Sequence, residues 1–137
     1  MTEVSPHDVL HPRNWKPARG YSNGIAARGR TVFCGGLIGW TADHEFETDD
    51  FAGQVEQCLR NIVAVLAEAG AEPRHLVRMT WYVTDKQAYL DSLREIGAAY
   101  REIIGRHYPA MALVQVVALV EDRALVEIEA TAVVPEG

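Results

Sequence analysis

The chain has 137 residues, a formal net charge of −6, 48% apolar residues and 23% charged residues, a length and composition expected of one water-soluble globular domain with a buried core. The acidic balance argues against nucleic-acid binding, which calls for a basic surface. No apolar run approaches the ~20 residues of a membrane helix, and Pro6, His7 and Asp8 stand where a secretory signal would need an apolar core.

Residues 1–20, rich in Pro, His and Arg and without a period, read as an N-terminal arm of a single domain spanning 1–137. The segment 21–27 suits a short strand, and Arg28-Gly29-Arg30 a solvated turn. Thr31-Val32-Phe33-Cys34 is β-prone and runs into Gly35-Gly36, where a backbone or ligand is expected to approach closely. After a loop over 39–48, Thr48 or Asp49 is expected to cap a helix, with Asp50 favourable near its positive end. Phe51, Val55, Cys58, Leu59, Ile62, Val65, Leu66 and Ala69 recur at helical steps. Gly70 suits the end of that helix, and Pro73 prevents its continuation. Residues 76–83 read as a strand, with Leu76, Arg78, Thr80 and Tyr82 on one face and Val77, Met79, Trp81 and Val83 on the other, where Trp81 reads as core or else, with Trp40 and Tyr82, as flat surface for a pocket. Thr84-Asp85 caps a second helix, striped by Tyr89, Leu90, Leu93, Ile96, Tyr100, Ile103 and Ile104 and closed by Gly105. Two strands follow, joined by a polar turn at Glu121-Asp122-Arg123.

The expected order is β-β-α-β-α-β-β: an α+β fold, with a mixed sheet carrying both helices on one face. The strand over 110–119 is apolar on both sides except at Gln115. Such a strand needs a second layer, and in a short chain another subunit can supply it. Glu127 and Glu129 share one face of the last strand, either the solvated side of the sheet or the wall of a polar pocket.

Other chemistry is poorly supported. Cys34 and Cys58 lie on different elements without metal-ligand spacing, which suits buried thiols in a reduced, cytoplasmic setting. Cys34 has no charged activator beside it to make it a nucleophile. None of the histidines His7, His11, His44, His75 and His107 forms a helical metal pair, so no metal or cofactor is expected. His107 reads as a loop histidine, or else as an acid or base beside the strand it precedes. Gly35-Gly36 with Gly39 lacks the Lys-Ser/Thr ending of a phosphate loop.

Tyr108-Pro109-Ala110-Met111, an apolar strand, and then Val126-Glu127-Ile128-Glu129-Ala130 together resemble the closing signature of the RidA/YjgF family of enamine/imine deaminases. Gly20-Tyr21-Ser22-Asn23, Phe33-Cys34-Gly35-Gly36-Leu37-Ile38 and the stretch from Gln54 to Asn61 are similar to further family segments, so the resemblance covers about residues 20–134. It implies a chorismate-mutase-like fold, a homotrimer whose sheets surround a central barrel, and small-molecule clefts between subunits. It also implies catalytic roles for Tyr21 and Glu127, and substrate contact at Gly36, Gly97, Met111 and Leu113. At the last three positions the family has an asparagine, an arginine and a cysteine.

The arginine matters most, because a guanidinium grips a substrate carboxylate through two charge-assisted hydrogen bonds, whereas methionine carries no charge. The expected activity is therefore hydrolysis of a small imine that depends less on a carboxylate, with Arg78, Arg101 and Arg106 as candidate substitute cations. Water adds to C=N, ammonia leaves, and a positioned carboxyl group moves the protons. A non-catalytic binding protein on the same scaffold is the alternative, and ribonuclease activity is a weaker one given the acidic balance.

Overall fold

The computed structural model describes residues 5–136. Part of the expected arm is a strand: β1 (Asp8–Leu10) pairs antiparallel with β2 (Gly24–Ala26) in a separate small ribbon. Its exposed side chains give no periodic signal, and the backbone pairing alone defines it. β3 (Arg30–Ile38) is longer than its β-prone residues suggest, continuing through Gly35-Gly36 with a shift of register between Cys34 and Leu37.

The recurring apolar residues form α1 (Phe51–Glu68), which buries Phe51, Val55, Cys58, Leu59, Ile62 and Leu66. Its cap is Asp50 rather than Thr48 or Asp49: the Asp50 carboxylate accepts from the Gly53 N–H at 2.9 Å. Thr48 instead accepts from the Asp50 N–H, and Asp49 pairs with Arg123. Past the helix, Gly70 takes φ +70°, a left-handed conformation that suits glycine.

A short 3₁₀ turn at Pro73–His75 leads into β4 (Leu76–Val83). Met79, Trp81 and Val83 are buried, as the alternation requires. Leu76 is buried with them, because a register shift between Leu76 and Arg78 interrupts the alternation. The second helix of the sequence reading is two helices, α2 (Lys86–Asp91), capped by Asp85, and α3 (Leu93–Ile103). The break falls at Ser92, whose N–H closes a tight turn onto the Tyr89 carbonyl.

β5 (Ala110–Gln115) ends earlier than the expected 110–119 strand; beyond it Val117 and Val120 are exposed. β6 (Val126–Val134) does not pair with β5. The order of the four-stranded sheet is β3-β6-β4-β5, with β5 parallel to β4 and the other neighbours antiparallel. All the helices lie on one face, and the core sits between them and the row of Met79, Trp81, Val83, Ile128, Ala130 and Ala132. The opposite face carries Arg78, Thr80, Tyr82, Glu127 and Glu129 beside Phe33, Ala112 and Val114. It is more polar than the β5 pattern suggests, because the neighbouring strands turn polar residues to that side.

Candidate functional site

The registers of β4, β5 and β6 divide the expected site residues between the two faces. Met111 lies opposite Met79 and Leu113 opposite Trp81, so both point toward the helices. Glu127 lies opposite Tyr82, on the uncovered side.

On the helix side, Met111, Leu113 and Trp81 form the floor of a cavity of about 530 Å³. α3 contributes Leu93, Ile96, Gly97 and Tyr100 to its wall, and α2 contributes Tyr89. The upper part of the helical stripe thus meets a cavity: Leu93 lines it while half exposed, and Tyr89 lines it while also packing against the core. Tyr21 closes the near side with Tyr108. Its segment is clipped to the head of β5: the Ser22 N–H donates to the Pro109 carbonyl at 3.0 Å, and Ser22 Oγ donates to the Tyr108 carbonyl. Tyr108 stacks on Tyr100, and the Tyr100 hydroxyl donates to the His107 carbonyl at 2.6 Å.

Four of the six expected positions, Tyr21, Gly97, Met111 and Leu113, therefore share one cavity. The aromatic lining of Tyr89, Tyr100 and Tyr108 was not expected; the first two were signalled only by a stripe that reads equally well as core, and Tyr108 only as the opening of the closing signature. Of the candidate cations, Arg101 lines this cavity, joined by Arg19 from the arm. Arg106 lines a neighbouring cavity, and Arg78 is exposed on β4. The Trp81 indole N–H is buried and has no hydrogen-bond partner among the described residues.

The other two positions meet on the uncovered face. A Cβ on Gly36 would overlap Oε2 of Glu127, so the missing side chain of Gly36 is what makes room for the carboxylate. Glu129, two residues on, accepts from the Tyr82 hydroxyl at 2.9 Å, and this bond pushes the phenol pKa up.

The remaining titratable candidates are structural. His107 is buried and its Nε2 donates to the Leu76 carbonyl at 2.6 Å; burial lowers its pKa and favours the neutral ring. It is therefore not a surface loop residue, and its Nε2 is taken up by a backbone carbonyl. His75 is buried as well, accepting from the Glu72 N–H through Nδ1. Burial raises the pKa of both thiols, and Cys58 donates to the Leu37 carbonyl at 3.0 Å. Such thiols are poor nucleophiles. Among the described residues no cluster of His, Cys, Asp and Glu could hold a metal ion, and no helix is long and apolar enough to cross a membrane.

The mixed sheet with helices on one face is shared with known proteins. The family model described as Endoribonuclease L-PSP matches residues 12–134. A RutC family protein of Pyrococcus abyssi is 33% identical over 118 residues, covering 85% of this chain and 88% of its own. The Yersinia pestis protein YyfB, a Rid family protein of unknown function, superposes with a TM-score of 0.83 at 31% identity, covering 93% of this chain and 98% of its own. RidA from the Antarctic bacterium Psychrobacter sp. superposes with a TM-score of 0.66 at 25% identity, covering 98% of this chain and 96% of its own. The chain belongs to the RidA/YjgF family.

Proposed function

We propose that the chain hydrolyses a small enamine or imine, releasing ammonia, at a site that two copies of the chain complete together. The observation that carries this reading is the division of the site. Tyr21, Gly97, Met111 and Leu113 line a cavity on one side of the sheet, while Gly36 and Glu127 form a carboxylate site on the uncovered side. A neighbouring copy can bring the carboxylate of one sheet to the cavity of another, as a homotrimer with clefts between subunits would.

In this mechanism an enamine first takes a proton at carbon, or an imine at nitrogen, to become the iminium ion. Water then attacks the C=N carbon while Glu127 accepts its proton, leaving a neutral carbinolamine. Glu127 returns that proton to nitrogen, the C–N bond breaks as the hydroxyl gives its own proton back to Glu127, and ammonia and a carbonyl compound leave; the proton then held by Glu127 departs with ammonia as ammonium. Tyr21 lines the cavity, and its role in this mechanism is to orient the attacking water or the nitrogen through its hydroxyl. Met111 and Leu113 give the substrate an apolar seat.

The test is ammonia release from freshly generated imines by the wild type, Glu127→Ala and Met111→Arg. The expected result is release above the buffer rate that falls by 10²-fold or more in Glu127→Ala, the scale of a lost acid-base group. A wild-type rate equal to that of buffer for every enamine and imine tried overturns the reading.

The loss of polar side chains at 97, 111 and 113 favours a second reading, a binding protein without turnover on the same scaffold. Saturable ligand binding without ammonia release, with activity gained only in Met111→Arg, is its expected signature. Ribonuclease activity has less support, given the net charge of −6 of the chain as a whole.

A further inference from the structure

The cavity on the helix side has a charge of its own. Its charged lining residues are Arg19 and Arg101, and no carboxylate lines it, although the chain as a whole carries a net charge of −6. Neither arginine forms a hydrogen bond or ion pair among the described residues. Elsewhere Arg60 bridges Glu56 and Glu102, Arg74 meets Glu72, and Arg123 meets Asp49. Two guanidinium groups free of local partners, opening onto an apolar cavity, are suited to an anion.

The position of Arg101 depends on Gly97. The two are one helical turn apart on α3, and so on the same face. A Cβ on residue 97 would stand 3.1 Å from Nη1 of Arg101, so a longer side chain there would push the guanidinium aside. Glycine inside a helix costs about 1 kcal/mol relative to alanine. Here it lets Arg101 fold back over the helix toward the cavity.

We propose that Arg101, lying across Gly97 and assisted by Arg19, is the anion-holding group of this cavity. The ligand is then an anion with an apolar or aromatic body. The body rests on Met111, Leu113 and Trp81, and the anionic group lies at the rim rather than on the floor. A cation has in effect moved from β5 to α3, which reverses the expectation of a weaker need for a carboxylate. The inference rests on the reading of this cavity as the ligand site, but not on turnover there.

The experiment is calorimetric titration of the purified full-length chain with 3-phenylpropionate and 3-phenylpropanamide, probes that share a body and differ in charge. The acid is expected to bind at least about tenfold more tightly than the amide, as charge-assisted pairing implies. Arg101→Gln should remove that preference by weakening binding of the acid. Gly97→Asn should weaken acid binding by displacing the guanidinium, and Arg94→Gln, on the same helix outside the cavity, should change nothing. Adding Met111→Arg to Arg101→Gln should restore the acid preference. Equal affinity for both probes, an acid preference that survives Arg101→Gln, or no saturable binding of either probe overturns the proposal. An acid preference without ammonia release from any imine would uphold it while removing the deaminase reading.

Discussion

Gly36 and Glu127 show how far a single residue can be read. Gly35-Gly36 at the end of a strand signalled a close approach, and the structure supplies the approaching group, the Glu127 carboxylate. The neighbouring glycine is different: a Cβ on Gly35 would meet nothing within 4 Å. Gly36→Ala should therefore displace the carboxylate and lower ammonia release toward the Glu127→Ala rate, whereas Gly35→Ala should retain the wild-type rate. Both variants should melt close to the wild type, within the ~0.5 kcal/mol typical of surface substitutions. Steady-state kinetics beside thermal melts would check this, and equal rates in the two variants would count against a positioned Glu127. His107 shows the limit of such reading. Its partner is the carbonyl of Leu76, 31 residues earlier, and nothing local in the sequence points to that bond.

At the scale of elements, local periodicity was the readable part. The pattern of α1 and the limits of β4 agree with the sequence, because both depend on which residues within one segment face the core. The early end of β5 and the placing of β6 between β3 and β4 depend on partners distant in the chain, while the break at Ser92 is a local turn onto Tyr89 that the apolar stripe runs straight through. The stretch from Gln54 to Asn61 belongs to both groups, visible as a resemblance but without a reason until the fold supplies one. Gln54 is fully buried; its amide donates to the carbonyls of Thr48 and Arg123 and accepts from the Leu125 N–H. Asn61 donates to the carbonyls of Ile38 and Trp40. The two side chains thus tie α1 to the end of β3 and to the turn before Glu127. Gln54→Leu would leave three backbone groups without these partners, each worth about 1–3 kcal/mol when buried. Stability is expected to fall by about 3 kcal/mol, readable as a lower urea midpoint at unchanged slope. A midpoint equal to that of the wild type would show that water replaces all three bonds.

For the whole molecule, the two faces of the sheet pose different problems. The helices cover one, while the other holds Phe33 at 79% exposure in register with Thr131, on the same side as Glu127 and Glu129. Val114, Val117 and Val120 add exposed apolar surface at and beyond the end of β5. An aromatic ring and several valines in water are unfavourable at about 25 cal/mol per Å² of apolar area, and covering them by a second copy would recover that energy. The sequence could say that this face wants a cover, but not what covers it, because an alternating pattern is the same whether the second layer is a helix or another subunit. In the proposed mechanism a neighbouring copy is the cover that also brings Glu127 to a cavity, so assembly and activity should fail together. Phe33→Glu places a charge in that interface and lies outside the helix-side core. Light scattering on the purified protein should show a trimer for the wild type and a monomer for Phe33→Glu, with the circular dichroism of both alike. Ammonia release should be lost with the trimer, and acid binding in the helix-side cavity, whose lining comes from a single chain, should persist in the monomer. Full activity in a monomeric Phe33→Glu would mean that Glu127 needs no partner, and would remove the shared-site mechanism.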